Sequence, residues 1–160
     1  MKKLFLVVFA FIGFATVNAQ DISKNAIGLR LGDSDGFGAE VSYQRALSDN
    51  NRVEIDLGIR SGNGYDGFKL TGVYQWIWEL DGDFNWYAGA GGGIGTYNFD
   101  NVAPGFDDSE TFLVAAGNIG IEYNFDFPLQ LSLDARPELG FGDFRNDLDF
   151  DIALGVRYRF

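Results

Sequence analysis

Two pairs of carboxylates, Glu54/Asp56 and Asp149/Asp151, stand two residues apart within runs that alternate with apolar residues. Acids at that spacing could serve as general acid and base. The same alternation puts each pair on one face of a strand, where Arg136, Arg157 and Arg159 are the natural ion-pair partners. The pairing role outweighs the catalytic one, because only proximity supports catalysis. The chain has no His and no Cys. That removes Ser-His and Cys-His nucleophile activation, a disulfide framework and a lipoprotein anchor. We expect no catalytic site, no cofactor and no resident metal.

Two glycine- and acid-rich stretches invite other chemistry. Residues 86–97 read WYAGAGGGIGTY, with five glycines between Gly89 and Gly95. A dinucleotide fingerprint needs G-x-G-x-x-G leaving a strand and opening a helix. Counted from Gly89 the sixth position is Ile94, counted from Gly91 it is Thr96, and no helical pattern follows. The DSDG at 33–36 resembles half a calcium loop but lacks the later ligands.

The ends of the chain say where it goes. Lys2 and Lys3 precede an apolar run from Leu4 to Ala15, and Val17-Asn18-Ala19 offers small residues for cleavage. Residues 1–19 read as an export signal, leaving a single domain over 20–160. The apolar run falls short of the ~20 residues that a spanning helix needs. Of 12 basic side chains the signal removes two, so the mature chain sets 10 against 23 acidic ones. Such a chain lacks the basic patch that nucleic acid requires.

What remains is period-two alternation. Val53, Ile55, Leu57 and Ile59 are separated by Glu54, Asp56 and Gly58, and Leu129, Leu131, Leu133 and Ala135 by Gln130, Ser132 and Asp134. Leu148 to Phe160 alternates throughout, and 25–32, 38–47, 68–80, 84–97 and 111–125 alternate less perfectly. That predicts eight strands. Connections near 48–51, 81–83 and 124–128 are tight. Those near 33–37, 61–67, 98–110 and 139–147 read as longer loops. Short turns at one end and longer loops at the other predict an all-β, eight-stranded antiparallel up-and-down transmembrane barrel. Gly89, Gly91, Gly93 and Gly95 then share the polar face of one strand, thinning the inner wall so that long side chains can lie against it.

Alternation alone leaves inside and outside open. A soluble barrel would turn the apolar face inward around a lipophilic ligand; a membrane barrel reverses it. The polar face holds Arg30, Arg52, Arg60, Lys69, Arg136, Arg157 and Arg159 against Glu40, Glu54, Asp56, Glu79, Glu122, Asp134, Glu138, Asp149 and Asp151. Such a near-balanced set suits pairing within a narrow lumen. Of these, Arg30, Glu40, Glu54, Asp56, Arg60, Lys69, Glu122, Asp134, Arg136, Asp149, Asp151 and Arg157 form the expected lumen network. Aromatics gather at both strand ends: Tyr43, Trp76, Trp78, Trp86, Tyr123, Phe125, Tyr158 and Phe160 near the turns, and Phe37, Phe68, Phe99, Phe112, Phe141 and Phe144 near the loops. Two girdles at headgroup level have this distribution. Arg45 interrupts an apolar face close to the 48–51 turn, where it can snorkel.

On these features the chain resembles the small outer-membrane β-barrels of OmpA/OmpX type found in Gram-negative cell envelopes. The resemblance spans the mature chain. It implies that the last strand carries an assembly signal for the outer-membrane insertion machinery, which Phe160, Tyr158, Val156 and Leu154 match position by position. The segment EYNFDFPLQLSLDARPELGF also looks like a hairpin common in such barrels. The resemblance carries no single activity, because barrels of this shape serve many roles. An eight-stranded interior filled by charged side chains predicts a largely closed lumen, with a narrow low-conductance pore as an alternative. Asp100, Asp107, Asp108 and Glu110 make the expected acidic loop surface, suited to partner contact or to divalent cations bridging it to lipid phosphates. The expected partners are outer-membrane lipid and the insertion machinery, with the barrel itself a monomer.

Overall fold

The computed structural model describes residues 22–32, 38–62, 65–99, 109–142 and 147–160. Eight strands follow one another: β1 (Asn25–Leu31), β2 (Ala39–Ser48), β3 (Asn51–Gly62), β4 (Tyr65–Asp81), β5 (Phe84–Phe99), β6 (Ser109–Asn124), β7 (Leu129–Phe141) and β8 (Leu148–Arg159). Each pairs antiparallel with the next, and β1 pairs with β8 to close the barrel. Closure is completed where Asn25 N–H donates to the Phe160 carbonyl at 3.0 Å and Phe160 N–H returns to Asn25 at 2.9 Å. A closed ring leaves no sheet edge unpaired, the condition for strands to cross lipid.

Local chemistry sets the turns. Gly82 has φ +54°, the left-handed value that the first central residue of a two-residue hairpin turn requires. The β6–β7 turn closes on Leu129 N–H donating to Phe127 and Phe125 N–H donating to Leu129. At the opposite end two connections are shorter than composition suggested. The expected 61–67 loop shrinks to residues 63–64, because Ser61↔Asp66 and Gly62↔Tyr65 continue the ladder. The expected 98–110 loop gives up both flanks to Asn98↔Ser109 and Tyr97↔Glu110. Gly62 permits the first extension, since a Cβ there would meet the Tyr65 ring 2.6 Å away at Cζ. Strands β4, β5 and β6 therefore reach 17, 16 and 16 residues, well beyond the ~9–11 of a tilted crossing.

The alternation resolves as apolar outside and polar inside. Ile27, Leu29, Val41, Ile55, Leu57, Ile59, Leu70, Ile119, Ile121, Leu133, Ile152 and Leu154 are exposed around the outer wall, while Arg30, Glu54, Asp56, Lys69, Arg136 and Arg157 are fully buried. A soluble barrel built around a lipophilic core would show the reverse, so that alternative is overturned. Trp76, Phe84, Tyr158 and Phe160 point outward at the turn end, where Trp78 and Trp86 stack at 4.3 Å. At the loop end Phe68, Phe141 and Phe150 point outward. Phe112 does not join them: it is buried on the inner face, stacked on Tyr97 at 5.4 Å, because its parity is that of Asn118 and Glu122. Arg45 is exposed at the turn end and donates to the Asn25 side chain at 2.8 Å.

Candidate functional site

The inner wall gathers the chain's chemistry into one hydrogen-bonded body. Arg30 on β1 reaches Glu40 at 3.0 Å, Asp134 at 2.7 Å and Asp151 at 2.5 Å. Arg136 on β7 crosses the barrel to Glu40 and Glu54, both at 3.1 Å, and to Asp56. Arg157 on β8 donates to Glu54 at 3.0 Å and to the Ser42 and Ser132 hydroxyls at 2.9 and 2.8 Å. Lys69 on β4 meets Glu138 at 3.0 Å and Glu40 at 3.5 Å. Arg52 on β3 meets Glu122 at 2.6 Å and lies 4.8 Å from the centre of the Tyr87 ring.

Among the described residues, seven buried carboxylates face five buried cations. Neutral donors serve the surplus: Gln44 donates to Glu54 at 2.5 Å, Asn85 to Glu122 at 3.2 Å and Asn118 to Asp134 at 3.3 Å. Ionised groups are tolerated at this depth of burial because each cation has several acceptors within reach. Breaking one such partner leaves an uncompensated buried charge, which costs far more than the intact pair gains.

The wall formed by β4–β6 is thinner in side chains. Gly89, Gly91, Gly93 and Gly95 share the inward parity of buried Asn85 and Tyr87, as the alternation predicted. A Cβ at Gly91 would press into the backbone of β4, with Val73 Cα 2.7 Å away, and one at Gly95 would meet the Phe112 ring at 2.8 Å. One at Gly120 would lie 2.6 Å from the Tyr87 hydroxyl. The glycines leave room for interstrand approach and for rings, not for a phosphate.

Of the expected lumen residues, Arg30, Glu40, Glu54, Asp56, Lys69, Glu122, Asp134, Arg136, Asp151 and Arg157 are buried together. Arg60 and Asp149 are half-buried towards the loop end, Arg60 lying 5.8 Å from the centre of the Tyr65 ring. Arg52 and Glu138, present in the polar-face inventory, prove equally buried. Ser42, Gln44, Gln75, Asn118 and Ser132 are buried with them, and their parity with the charged residues is the sequence signal for it. Glu110, expected on an acidic loop, sits on β6 opposite Tyr97. That extended pairing turns it towards the barrel axis. Asp100, Asp107, Asp108 and the export signal lie outside the described residues. Leu154, Val156, Tyr158 and Phe160 all face outward at the end of β8.

No protein-family model matches the chain, and no curated protein matches it. Solved structures do. The N-terminal β-barrel domain of Pseudomonas aeruginosa OprF superposes with a TM-score of 0.63 at 14% identity, over 89% of this chain and 100% of that one. The barrel has the fold of small outer-membrane proteins. Neisserial surface protein A gives 0.61 at 15% identity, over 85% of this chain and 93% of that one. Ail, the attachment invasion locus protein of Yersinia pestis, gives 0.53 at 19%, over 86% and 97%. At these identities it is the architecture that is shared: eight antiparallel transmembrane strands with the apolar side out.

Proposed function

We propose that this chain is an integral outer-membrane barrel, exported through a signal peptide (residues 1–19) that is then cleaved, with a structural or cell-surface interaction role and no catalytic activity. The observation that carries the reading is the reversal of faces. An outward belt including Leu29, Leu57, Ile121 and Ile152 surrounds an interior of ion-paired Arg30, Arg136 and Arg157. Water would meet the wrong side of such a wall, whereas hydrocarbon would meet the right one. Arg136 reaches across the interior from β7 to β3, and Arg157 from β8 to β3, which supports a lumen largely closed to solutes. An even strand count places both termini at the turn end. With that end in the periplasm, the loops carrying Asp100, Asp107 and Asp108 face outward, where contact with partners or cation-bridged lipid phosphate would occur. Surface-protein names among the fold's neighbours suit this role. Phe160, Tyr158, Val156 and Leu154 act as the signal read at insertion.

Fractionation of cells expressing the full chain, with outer-membrane samples run on SDS gels before and after boiling, tests the reading. A faster unboiled band in that fraction is expected. Phe160→Ala should lower that band while leaving processed protein in the periplasm. A soluble, heat-indifferent protein would overturn the membrane role. Undiminished Phe160→Ala assembly would overturn the terminal signal alone. Discrete conductance steps in planar bilayers would replace the closed lumen by a narrow pore.

A further inference from the structure

The outer wall is not uniform. Between β5 and β8 it carries a groove of about 320 Å³ lined by Trp86, Ile119, Ile121, Leu133, Ala135 and Ile152, with Gly120 and Asp134 beneath. Its borders follow from register. One row of outward side chains runs Trp86↔Ile121↔Leu133 and the next Ile119↔Ala135↔Ile152, with the backbone of Gly120↔Asp134 as the floor between them. The second row dips at Ala135, while the Asp134 carboxylate is turned inward to Arg30. Two rungs further towards the loops the ladder lapses. Pairing passes from Ala116↔Glu138 to Ile119↔Ala135 without the rungs between, because Pro137 has no N–H for the carbonyl of Gly117.

We infer that this groove holds one acyl chain of a glycerophospholipid from the leaflet at the turn end, in preference to the rest of the wall. The inference rests on the membrane reading above. Its lining side chains are hydrocarbon apart from the Trp86 indole, which stacks on Trp78 at the turn-end girdle, and the groove leads from that girdle towards mid-height. It is continuous with the apolar belt, so what covers the belt enters it. A second copy of the barrel fits less well: a stable protein pair engages roughly 20–30 residues a side, and eight line this groove.

The test uses the mature protein reconstituted in vesicles of a phosphatidylcholine bearing a diazirine midway along one acyl chain. After irradiation, adducts are mapped by peptide mass spectrometry. Adducts should be several-fold denser on the segments around Ile119–Ile121, Leu133–Ala135 and Ile152 than around Leu29, Val41 and Leu57. Ala135→Trp, which fills the dip, should abolish that excess while keeping the heat-modifiable band. Even labelling all round overturns the inference and leaves the membrane reading intact. So does an excess that survives Ala135→Trp in folded protein. Absence of both a heat-modifiable band and labelling would instead sink the membrane reading. If Ala135→Trp does not fold, the distribution on the unaltered chain decides by itself.

Discussion

The two halves of the barrel interior are built on opposite plans. The arc from β7 through β8 and β1 to β3 supplies Asp134, Arg136, Glu138, Asp151, Arg157, Arg30, Glu40, Arg52, Glu54 and Asp56. The arc β4–β6 adds only Lys69 and Glu122 to the buried charges. In their place it offers Gly89, Gly91, Gly93 and Gly95, buried Tyr87 and Phe112, and the aliphatic Val73, Ile77 and Val114. One half projects and the other yields. In a narrow ring, side chains long enough to pair across the axis need a facing wall without bulk. The glycine run and the arginines are thus one feature seen from two sides.

If that is so, damage to the projecting half should be the more severe. Arg136 bridges β7 to Glu40 on β2 and to Glu54 and Asp56 on β3. Arg136→Met keeps much of the length and removes the charge, taking from Asp56 the ion-pair partner described for it and from Glu40 and Glu54 one cation each. We expect a loss of ~3–5 kcal/mol in folding stability. The check is urea unfolding in detergent, followed by loss of the fast-migrating band. A loss under ~1 kcal/mol, as for an exposed pair, would mean that the interior is wetter than its burial implies.

The yielding half should respond to added volume. Gly91→Ala drives a Cβ against the Gly72 carbonyl and Val73 Cα, so β4 and β5 must part. Gly72 is the matched control: it lies on the outward parity of β4, and a Cβ there meets nothing within 4 Å. We expect ~1–3 kcal/mol of destabilisation from Gly91→Ala. For Gly72→Ala we expect no loss, or a gain of ~0.4–1 kcal/mol through the unfolded chain. Equal responses would show that glycine serves here only as a flexible residue, and the comparison between the halves would lose its steric basis.

The projecting half was the more legible in sequence, and the reason is physical. On β3 and β8 one parity is apolar and the other charged, so inside and outside separate at once. On β4 the inward parity mixes Lys69, Thr71 and Gln75 with apolar Val73 and Ile77, while Trp76 faces out. The contrast between faces is weaker there. The position of Phe112 near a strand end suggests the loop-end girdle, yet the residue is buried inside. Its parity with Asn118 and Glu122 was the better guide, because a strand's facing persists along its whole length. Composition overstates loop length where Gly and Asp resemble turn residues although facing partners continue the ladder, as at Ser61↔Asp66. Which arginine meets which carboxylate was not legible at all. Those partners lie up to four strands apart and depend on the register with which the ring closes.

The smallest test concerns the thread joining the two halves. Arg52 Nε donates to Gln75 Oε1 at 2.6 Å, Gln75 Nε2 to Asn118 Oδ1 at 2.7 Å, and Asn118 Nδ2 to Asp134 at 3.3 Å. This neutral relay runs from β3 through the yielding arc to β7. Gln75→Met and Asn118→Leu each preserve shape and leave one buried amide without its partner. Each should cost ~1–3 kcal/mol, since an unserved buried polar group carries its full desolvation penalty. The double variant removes both amides together, so it should cost less than the two single losses combined, by ~0.5–3 kcal/mol. Urea midpoints for the four proteins of the cycle measure that difference. Strict additivity would mean that the amides act through separate partners, leaving the two halves joined, among the described ion pairs, by Arg52–Glu122, Lys69–Glu138 and Lys69–Glu40.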